Sequence, residues 1–393
     1  MREATGRPAW AEVDLDAVRH NAAVVAGLAG PAELCAVVKA NGYGLGGEAL
    51  AVAALEGGAS RLAVALVDEG VALREAGVDA PVLLLSEPPA EAMADTVAHR
   101  LTPTVYTRGG VEALARVVGH RRPVAVEVKV DTGMHRVGAT ADEAVAVAQL
   151  VHDAPGLRLE GVWTHLAVAD EPENPYTALQ LERFEEVRDR LARAGLVPDR
   201  VHAANSAGAI AHPAARYDMV RCGIALCGYA PSAPLAGMAD LRPALTLRAR
   251  VSYVKEVDAG ERLSYGLRYT APQRSFIATV PLGYADGVPR RLFDVGGCVL
   301  VGGRRCPIAG VITMDQLLVD CGPGAAVQAG DEVVLLGRQG DSEVTAEEWA
   351  SALGTINYEV LCGIGARVPR VYVGAGLGAA GVAGPVDVQQ GVL

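Results

Sequence analysis

From about residue 30 to 225 the chain alternates short apolar runs with longer stretches whose apolar residues recur at helical spacing. The short runs are LCAVVKA (34–40), RLAVAL (61–66), PVLLLS (81–86), LTPTVY (101–106), VAVEVKV (124–130), LRLEGVWTH (157–165), RVHAAN (200–205) and YDMVRCG (217–223). Between most of them lie GEALAVAALEGG, EALARVVG, DEAVAVAQLVHD and TALQLERFEEVRDRLARAG, the last with Arg and Glu opposite its apolar face. This succession of βα units in roughly 200 residues is what a (β/α)8 barrel requires. Nearly continuous apolar strands also fit a parallel sheet covered on both faces. Periodicity alone leaves an open doubly wound sheet as the alternative.

After residue 240 the texture changes. ALTLRARVSYVKEV, SFIATVPLGYA, CVLVGGRRCPIAGVIT and DEVVLLG alternate with Gly, Pro and Asp turns, and one helical piece lies near AEEWASALG. That pattern predicts a mostly-β second domain. The expected bounds are 8–235 for the α/β barrel and 236–373 for the β domain, with the Gly/Ala-rich 374–393 as a flexible tail. No internal repeat is evident.

Half of the residues are hydrophobic and the net charge is −11 with no basic run, which describes a well-cored globular protein and argues against nucleic acid or an anionic membrane as partner. The opening MREATGRPAWAEVDLDAVRHN lacks an apolar h-region, and no stretch of 18 apolar residues occurs. Neither a signal peptide nor a membrane span is therefore expected. Seven cysteines without a CxxC pair suggest neither a disulfide framework nor a zinc site, and the eight histidines show no ligand spacing. Reduced thiols, a cytoplasmic location and no bound metal are the expectation.

The chain has 35 basic side chains, of which only Lys39, Lys129 and Lys255 are lysines. Lys39 ends the first apolar run and precedes the Gly-rich turn NGYGLG, where backbone can approach a ligand closely. An amine, unlike a guanidinium, can lose its proton when desolvated and attack a carbonyl, so Schiff-base chemistry with an aldehyde cofactor is indicated. Other strand ends supply company. HAANSAGA (202–209) puts Asn205 and Ser206 at a strand-to-helix junction, where hydroxyl and N–H groups can hold a phosphate. RCGI (221–224) ends the last run on an arginine, and KVDTGMHRVG (129–138) carries Lys129, Asp131 and Arg136.

KANGYG, KVDTGM with Arg136, EGVWTHLA, HAANSAG, RCGIAL, LSYG, GYADGVPR, TMDQ and TINYEVLCGI, in this order over residues 8 to 373, resemble the alanine racemases. The resemblance implies a fold-type III enzyme dependent on pyridoxal 5'-phosphate, a barrel with a C-terminal β domain, and a homodimer whose active sites are shared across the interface. It further implies racemisation of a small amino acid, L-alanine to D-alanine by default, by two-base proton transfer at Cα. Lys39 matches the lysine that holds the cofactor as an imine, which accounts for a retained amine at that position. Tyr43, Ser206, Gly223, Ile224 and Tyr358 match the phosphate-binding set. Arg221 matches the arginine facing the pyridine nitrogen, with His202 in its network. Arg221 stays charged, so the ring nitrogen is expected to stay unprotonated and the ring to be a weaker electron sink, which suits racemisation better than transamination or decarboxylation.

Tyr265, in LSYG, matches the second catalytic base, which reaches the neighbouring subunit's site; a racemase needs acid/base groups on both faces of Cα. Arg136 and the backbone near Met314 match the groups receiving the substrate carboxylate, and Lys129 matches a position often carbamylated. Tyr284, Tyr358 and Ala169 match the inner gate, with His165, Asp170 and Arg290 outside it. The chain departs from the pattern at Leu45 (usually histidine), Cys222 (proline), Cys227 (tyrosine), Val311 (arginine) and Thr313 (cysteine). Val311 would leave the entrance wider and more acidic, so a larger or polar amino acid stays open as the substrate. A non-catalytic cofactor-binding protein is the other alternative, though it would need neither the β domain nor Tyr265.

Overall fold

The computed structural model describes residues 7–119 and 123–375. It separates into two units, one formed by Ala17–Arg242 and the other by residues up to Asp16 together with those from Pro243 onward. Strand β1 (Ala9–Asp14) is therefore not part of the barrel, although the expected barrel domain starts at residue 8. Its sequence AWAEVD buries every second residue, the period-2 pattern of a sheet with one covered face, and such a strand goes wherever its edge finds partners.

The barrel unit holds β2 (Glu33–Val37), β3 (Arg61–Val64), β4 (Val82–Leu84), β5 (Leu101–Thr102), β6 (Thr104–Val105), β7 (Val124–Lys129), β8 (Leu157–Trp163), β9 (Arg200–His202) and β10 (Met219–Cys222). They pair in parallel in the orders β10-β2-β3-β4-β5 and β6-β7-β8-β9. β5 and β6 are one expected strand split at Pro103, which has no N–H to give the ladder. Its carbonyl still accepts from Glu127 N at 3.0 Å, so pairing with β7 spans the break. Asp218 N donates to Val201 O (3.0 Å) and Arg221 N to Ala204 O (3.0 Å), linking β9 to β10 and closing the ring. With β5 and β6 counted together, eight parallel strands close among the described residues, and the open-sheet alternative falls.

Helices Leu15–Ala29, Gly47–Glu56, Val67–Glu75, Arg108–Val118, Ala141–Asp153 and Tyr176–Arg193 alternate with these strands. The fifth starts at a capping box in which Thr140 and Glu143 satisfy each other's backbone N–H. Strand β7, VAVEVK, shows how the barrel sorts its residues. Val126 and Val128 pack in a cluster with Leu114, Val147 and Phe184 of the covering helices, whereas Glu127 and Lys129 alternate to the other side.

The second unit contains β11 (Leu245–Arg250), β12 (Tyr253–Val257), β13 (Arg262–Leu263), β14 (Tyr269–Thr270), β15 (Ser275–Val280), β16 (Cys298–Val301), β17 (Arg304–Pro307), β18 (Leu317–Asp320), β19 (Glu332–Gln339), β20 (Ser342–Val344) and β21 (Arg370–Val373). One sheet runs β17-β16-β19-β11-β1-β21, with β20 on β19; β12-β15-β18 form another, and β13-β14 a short ribbon. β1 pairs antiparallel with β11 (Ala9 opposite Ala249) and parallel with β21 (Ala11 opposite Arg370). The expected helix near AEEWASALG spans Ala346–Leu353, capped by Thr345 and ended by Gly354. The tail expected from 374 lies outside the described residues beyond Ala375. Among the described residues no helix is long and apolar enough to cross a membrane, and the seven cysteines form no disulfide.

Candidate active site

The turn after β2 is built against its intrinsic preference. Ladder bonding continues to Val38 N, which donates to Ala63 O at 2.9 Å, and Lys39 follows immediately. Ala40, Asn41, Gly42 and Tyr43 then have φ of 52°, 51°, 63° and 57°, a run of left-handed residues of which only one is glycine. Each L-residue there is disfavoured by roughly 1–2 kcal/mol. Specific bonds offset this. Glu69 accepts from Ala40 N (2.6 Å) and, with its other oxygen, from Ala65 N and Leu66 N (2.9 and 3.1 Å). Asn41 Oδ1 accepts from Gly47 N at 2.8 Å. The turn points Tyr43 at β10: a Cβ built on Gly223 would lie 2.0 Å from the Tyr43 hydroxyl, so only glycine admits the phenol. Gly223 N donates to Ser206 Oγ at 3.1 Å, and Asn205 caps the short helix Ser206–Ala211. Tyr43, Ser206, Gly223 and the buried Ile224 thus meet at the ends of β2, β9 and β10.

Arg221 is buried on β10. Its Nη1 lies 2.7 Å from His202 Nδ1; its Nη2 donates to Thr164 O (2.8 Å) and Ala203 O (3.0 Å) and lies 3.3 Å from His165 Nδ1. The guanidinium also sits over the Trp163 ring, 4.5 Å from its centroid. Burial lowers its pKa to about 10, and the Glu127 charge opposes that shift. Arg221 therefore remains a cation at neutral pH.

Lys129 Nζ lies 4.4 Å from the centroid of the same ring. Burial lowers its pKa to about 7, helped by repulsion from Arg221, Arg136 and Lys39 and opposed by Asp131. Lys39, Lys129, Arg136 and Arg221 thus share one region of the barrel mouth, where burial and these charges also hold His165 well below its ordinary range. The loops after β7 and β8 are clasped by Gln180, a buried residue of helix Tyr176–Arg193. Gln180 Nε2 donates to Thr132 Oγ1 (3.1 Å) and His165 O (3.1 Å), and its Oε1 accepts from Ala167 N (2.8 Å).

The depressed Lys129 pKa makes a pH prediction. Unfolded, the amine takes up its proton near the ordinary 10.5; folded, it does so near 7. Between these values the unfolded chain binds more protons, so stability rises with pH, by at most about 1.4 kcal/mol per pH unit, and is flat below the window. Urea unfolding in CO2-free buffer at successive pH values should give wild type a steeper rise than Lys129→Met. Equal slopes would remove the claim.

The remaining expected residues lie in the β unit. Tyr265 is 73 % exposed at the tip of a short turn whose preceding residue, Ser264, holds φ 61° and ψ −175°. Such backbone is disfavoured for a non-glycine residue by roughly 1–3 kcal/mol, and Ser264 Oγ secures it by donating to Val311 O at 2.6 Å. Val311 itself is 4 % exposed. Thr313 closes the TMDQ turn, its Oγ1 accepting from Gln316 N (3.2 Å) and donating to Gln316 O (2.8 Å). Met314 is exposed and its carbonyl accepts from Ala285 N (3.1 Å); Tyr284 is also exposed, and Tyr358 is half-buried on helix Asn357–Cys362. Two residues absent from the sequence reading stand out, Gln180 and Glu127. The only signal for Glu127 is a carboxylate inside an apolar strand pattern; Gln180 looks like any polar residue on a helix.

An amine at a barrel strand end, a bare glycine cradle beside a hydroxyl and a phenol, and a buried arginine fit an aldehyde cofactor with a phosphate. Fold and site place the chain among the barrel-type enzymes that use pyridoxal 5'-phosphate. The family model described as "Alanine racemase, N-terminal domain" matches residues 13–231, and "Alanine racemase, C-terminal domain" matches 244–372. The alanine racemase of Symbiobacterium thermophilum is 49% identical over 371 residues, 94% of this chain and 98% of that protein. That of Desulforamulus reducens is 45% identical, covering 93% and 99%. Among solved structures, alanine racemase from E. faecalis superposes with a TM-score of 0.89 at 39% identity, over 95% of this chain and 100% of that one. The Bacillus anthracis alanine racemase with bound L-Ala-P superposes at 0.88 and 38%, over 94% and 96%. The chain belongs to the alanine racemase family and is an amino-acid racemase.

Proposed function

We propose that this chain interconverts L- and D-alanine in the cytoplasm as a homodimer, with Lys39 on one face of the substrate Cα and Tyr265 of a second copy on the other. The observation that carries this reading is the match to both domains of the family together with an intact lysine, arginine and tyrosine set. Lys39 would hold pyridoxal 5'-phosphate, which when bound would supply the electron withdrawal that acidifies the substrate Cα proton. The residues of the chain do the rest. Tyr43, Ser206, Gly223, Ile224 and Tyr358 would hold the cofactor phosphate, and Arg221, charged and buried, would face the ring nitrogen as a donor and so limit how far the ring withdraws electrons. Arg136 and the backbone at Met314 orient the carboxylate. Lys39 then moves the proton on the D side and Tyr265 on the L side.

Lys129 supports a further detail. Its amine is largely uncharged above pH 7 and crowded by cations; reaction with CO2, losing one proton, would turn it into an anionic carbamate that pairs with Arg136. Alanine as the substrate rests on the match to the family; Val311 is buried and packs within the β unit.

The exposed Tyr265, held on a fixed turn, is suited to entering another subunit. Mixing inactive Lys39→Ala and Tyr265→Phe subunits tests this. In a two-fold dimer each heterodimer regains one intact site, so random exchange should restore about a quarter of wild-type activity. No recovery after verified subunit exchange would mean that one chain builds the whole site.

A further inference from the structure

Glu127 interrupts the apolar pattern of β7 with a carboxylate that is 0 % exposed. Burying an ionised carboxylate is unfavourable unless charges and hydrogen bonds compensate. Here burial pushes the Glu127 carboxyl up, but His202, Arg61 and Arg221 more than offset it and hold it below the ordinary carboxylate range. The fold also makes room for it. The β7–β8 ladder shifts register between Val126 and Glu127, and the facing residue is Gly161, where a Cβ would lie 2.8 Å from Glu127 Cδ.

Only one of the two carboxylate oxygens is used. Oε2 lies 2.9 Å from His202 Nε2, and Oε1 has no hydrogen-bond partner among the described residues. On its other side His202 Nδ1 faces Arg221 Nη1 at 2.7 Å. Arginine can only donate, so Nδ1 must accept, and the proton of the neutral imidazole must sit on Nε2, donating to Glu127. A protonated imidazole would set N–H against N–H. Burial lowers the His202 pKa, and the Arg221 charge adds to this while Glu127 opposes it. Trp163 stacks on the imidazole with centroids 5.6 Å apart, restricting the ring plane. Carboxylate, imidazole and guanidinium therefore form a line with a single hydrogen-bond direction.

We propose that Glu127 is a positioning residue for the racemase reaction: by accepting from His202 Nε2–H it anchors the imidazole, presents Nδ1 to Arg221, and so sets where the guanidinium is held. The inference rests on the reading of Arg221 as the group facing the cofactor ring. Glu127 itself touches neither substrate nor cofactor in this scheme. Its influence is that of a carboxylate behind a functional histidine, where the outer partner fixes the ring's orientation.

The test compares 15N-histidine spectra, kcat and KM of the holoenzyme for wild type, Glu127→Gln, Glu127→Leu and Gly161→Ala. Wild-type His202 should show a protonated Nε2 and a bare Nδ1. Glutamine keeps an acceptor of the same shape, so the pattern should persist with a smaller loss of kcat than in the leucine variant. Leucine removes the acceptor, so the His202 signals should shift as the Nε2–H bond is lost and kcat fall about 10- to 100-fold with KM moving less. Gly161→Ala leaves the charge but displaces the carboxylate, and should shift the His202 signals in the same direction even if the leucine variant does not fold. A His202 pattern unchanged in every folded variant among these two overturns the proposal, whatever happens to kcat or Tm. The functional reading fails separately: if borohydride fixes the cofactor on a lysine other than Lys39, that reading is wrong, while the His202 spectra still decide on Glu127.

Discussion

Lys39→Ala protein should bind pyridoxal 5'-phosphate only non-covalently and lose racemase activity by roughly 10⁴-fold or more, since both the covalent attachment and one of the two bases are removed. Lys39→Arg should lose as much, because a guanidinium keeps the charge but neither forms the imine nor gives up a proton near neutral pH. The scarcity of lysine makes the assignment unusually clean: only Lys39, Lys129 and Lys255 can carry a borohydride-fixed cofactor. Lys129 is the serious competitor, because burial lowers its pKa to about 7 and leaves a substantial share of its amine unprotonated near neutral pH. Against it, Lys129 lies on β7, packed over Trp163, whereas Lys39 opens the strained turn that brings Tyr43 to the glycine cradle. Mass spectrometry of the reduced, digested enzyme should place the label on Lys39. A label on Lys129 would reverse the roles of the two amines.

Arg221→Leu should destabilise the protein by about 3–5 kcal/mol, the range for removing one member of a buried charge network. The leucine would leave Thr164 O, Ala203 O and His202 Nδ1 without their donor, and Glu127 with one fewer compensating cation. Arg221→Lys should fall between the two, since a single ammonium cannot reach acceptors placed for a planar fork. Urea unfolding at constant pH measures both, and cofactor absorbance shows whether the site survives in the folded fraction. A leucine variant within 1 kcal/mol (about a fivefold change in the folding equilibrium) of wild type would mean that the network contributes far less than its burial implies.

Much of the fold can be read without coordinates because helices and strands announce themselves through local periodicity. All eight apolar runs between 30 and 225 become barrel strands, trimmed at their ends, and LTPTVY breaks at the proline whose missing N–H is visible in the sequence. The helix at Ala346–Leu353 and the turn-rich β region were legible for the same reason. Lys39, Arg221 and Tyr265 stand out in the sequence as candidates, since scarcity of lysine and ordered motifs single them out.

The tertiary structure alone decided three things. It sent β1 to β11 and β21 rather than to the barrel, because a period-2 pattern specifies a covered face but not which edge will cover it. It made Glu127 the end of a polar line, because the partners of a buried carboxylate come from strands 75 and 94 residues further along the chain, at His202 and Arg221. It placed four consecutive left-handed residues after Lys39, held by Glu69 from the next βα unit and by Asn41 within the turn. Local preference opposes that turn. Composition and spacing are properties of neighbours in sequence, and they determined the elements and the candidate reactive groups. Charge compensation, strain and edge pairing depend on neighbours in space, and only the folded chain could determine those.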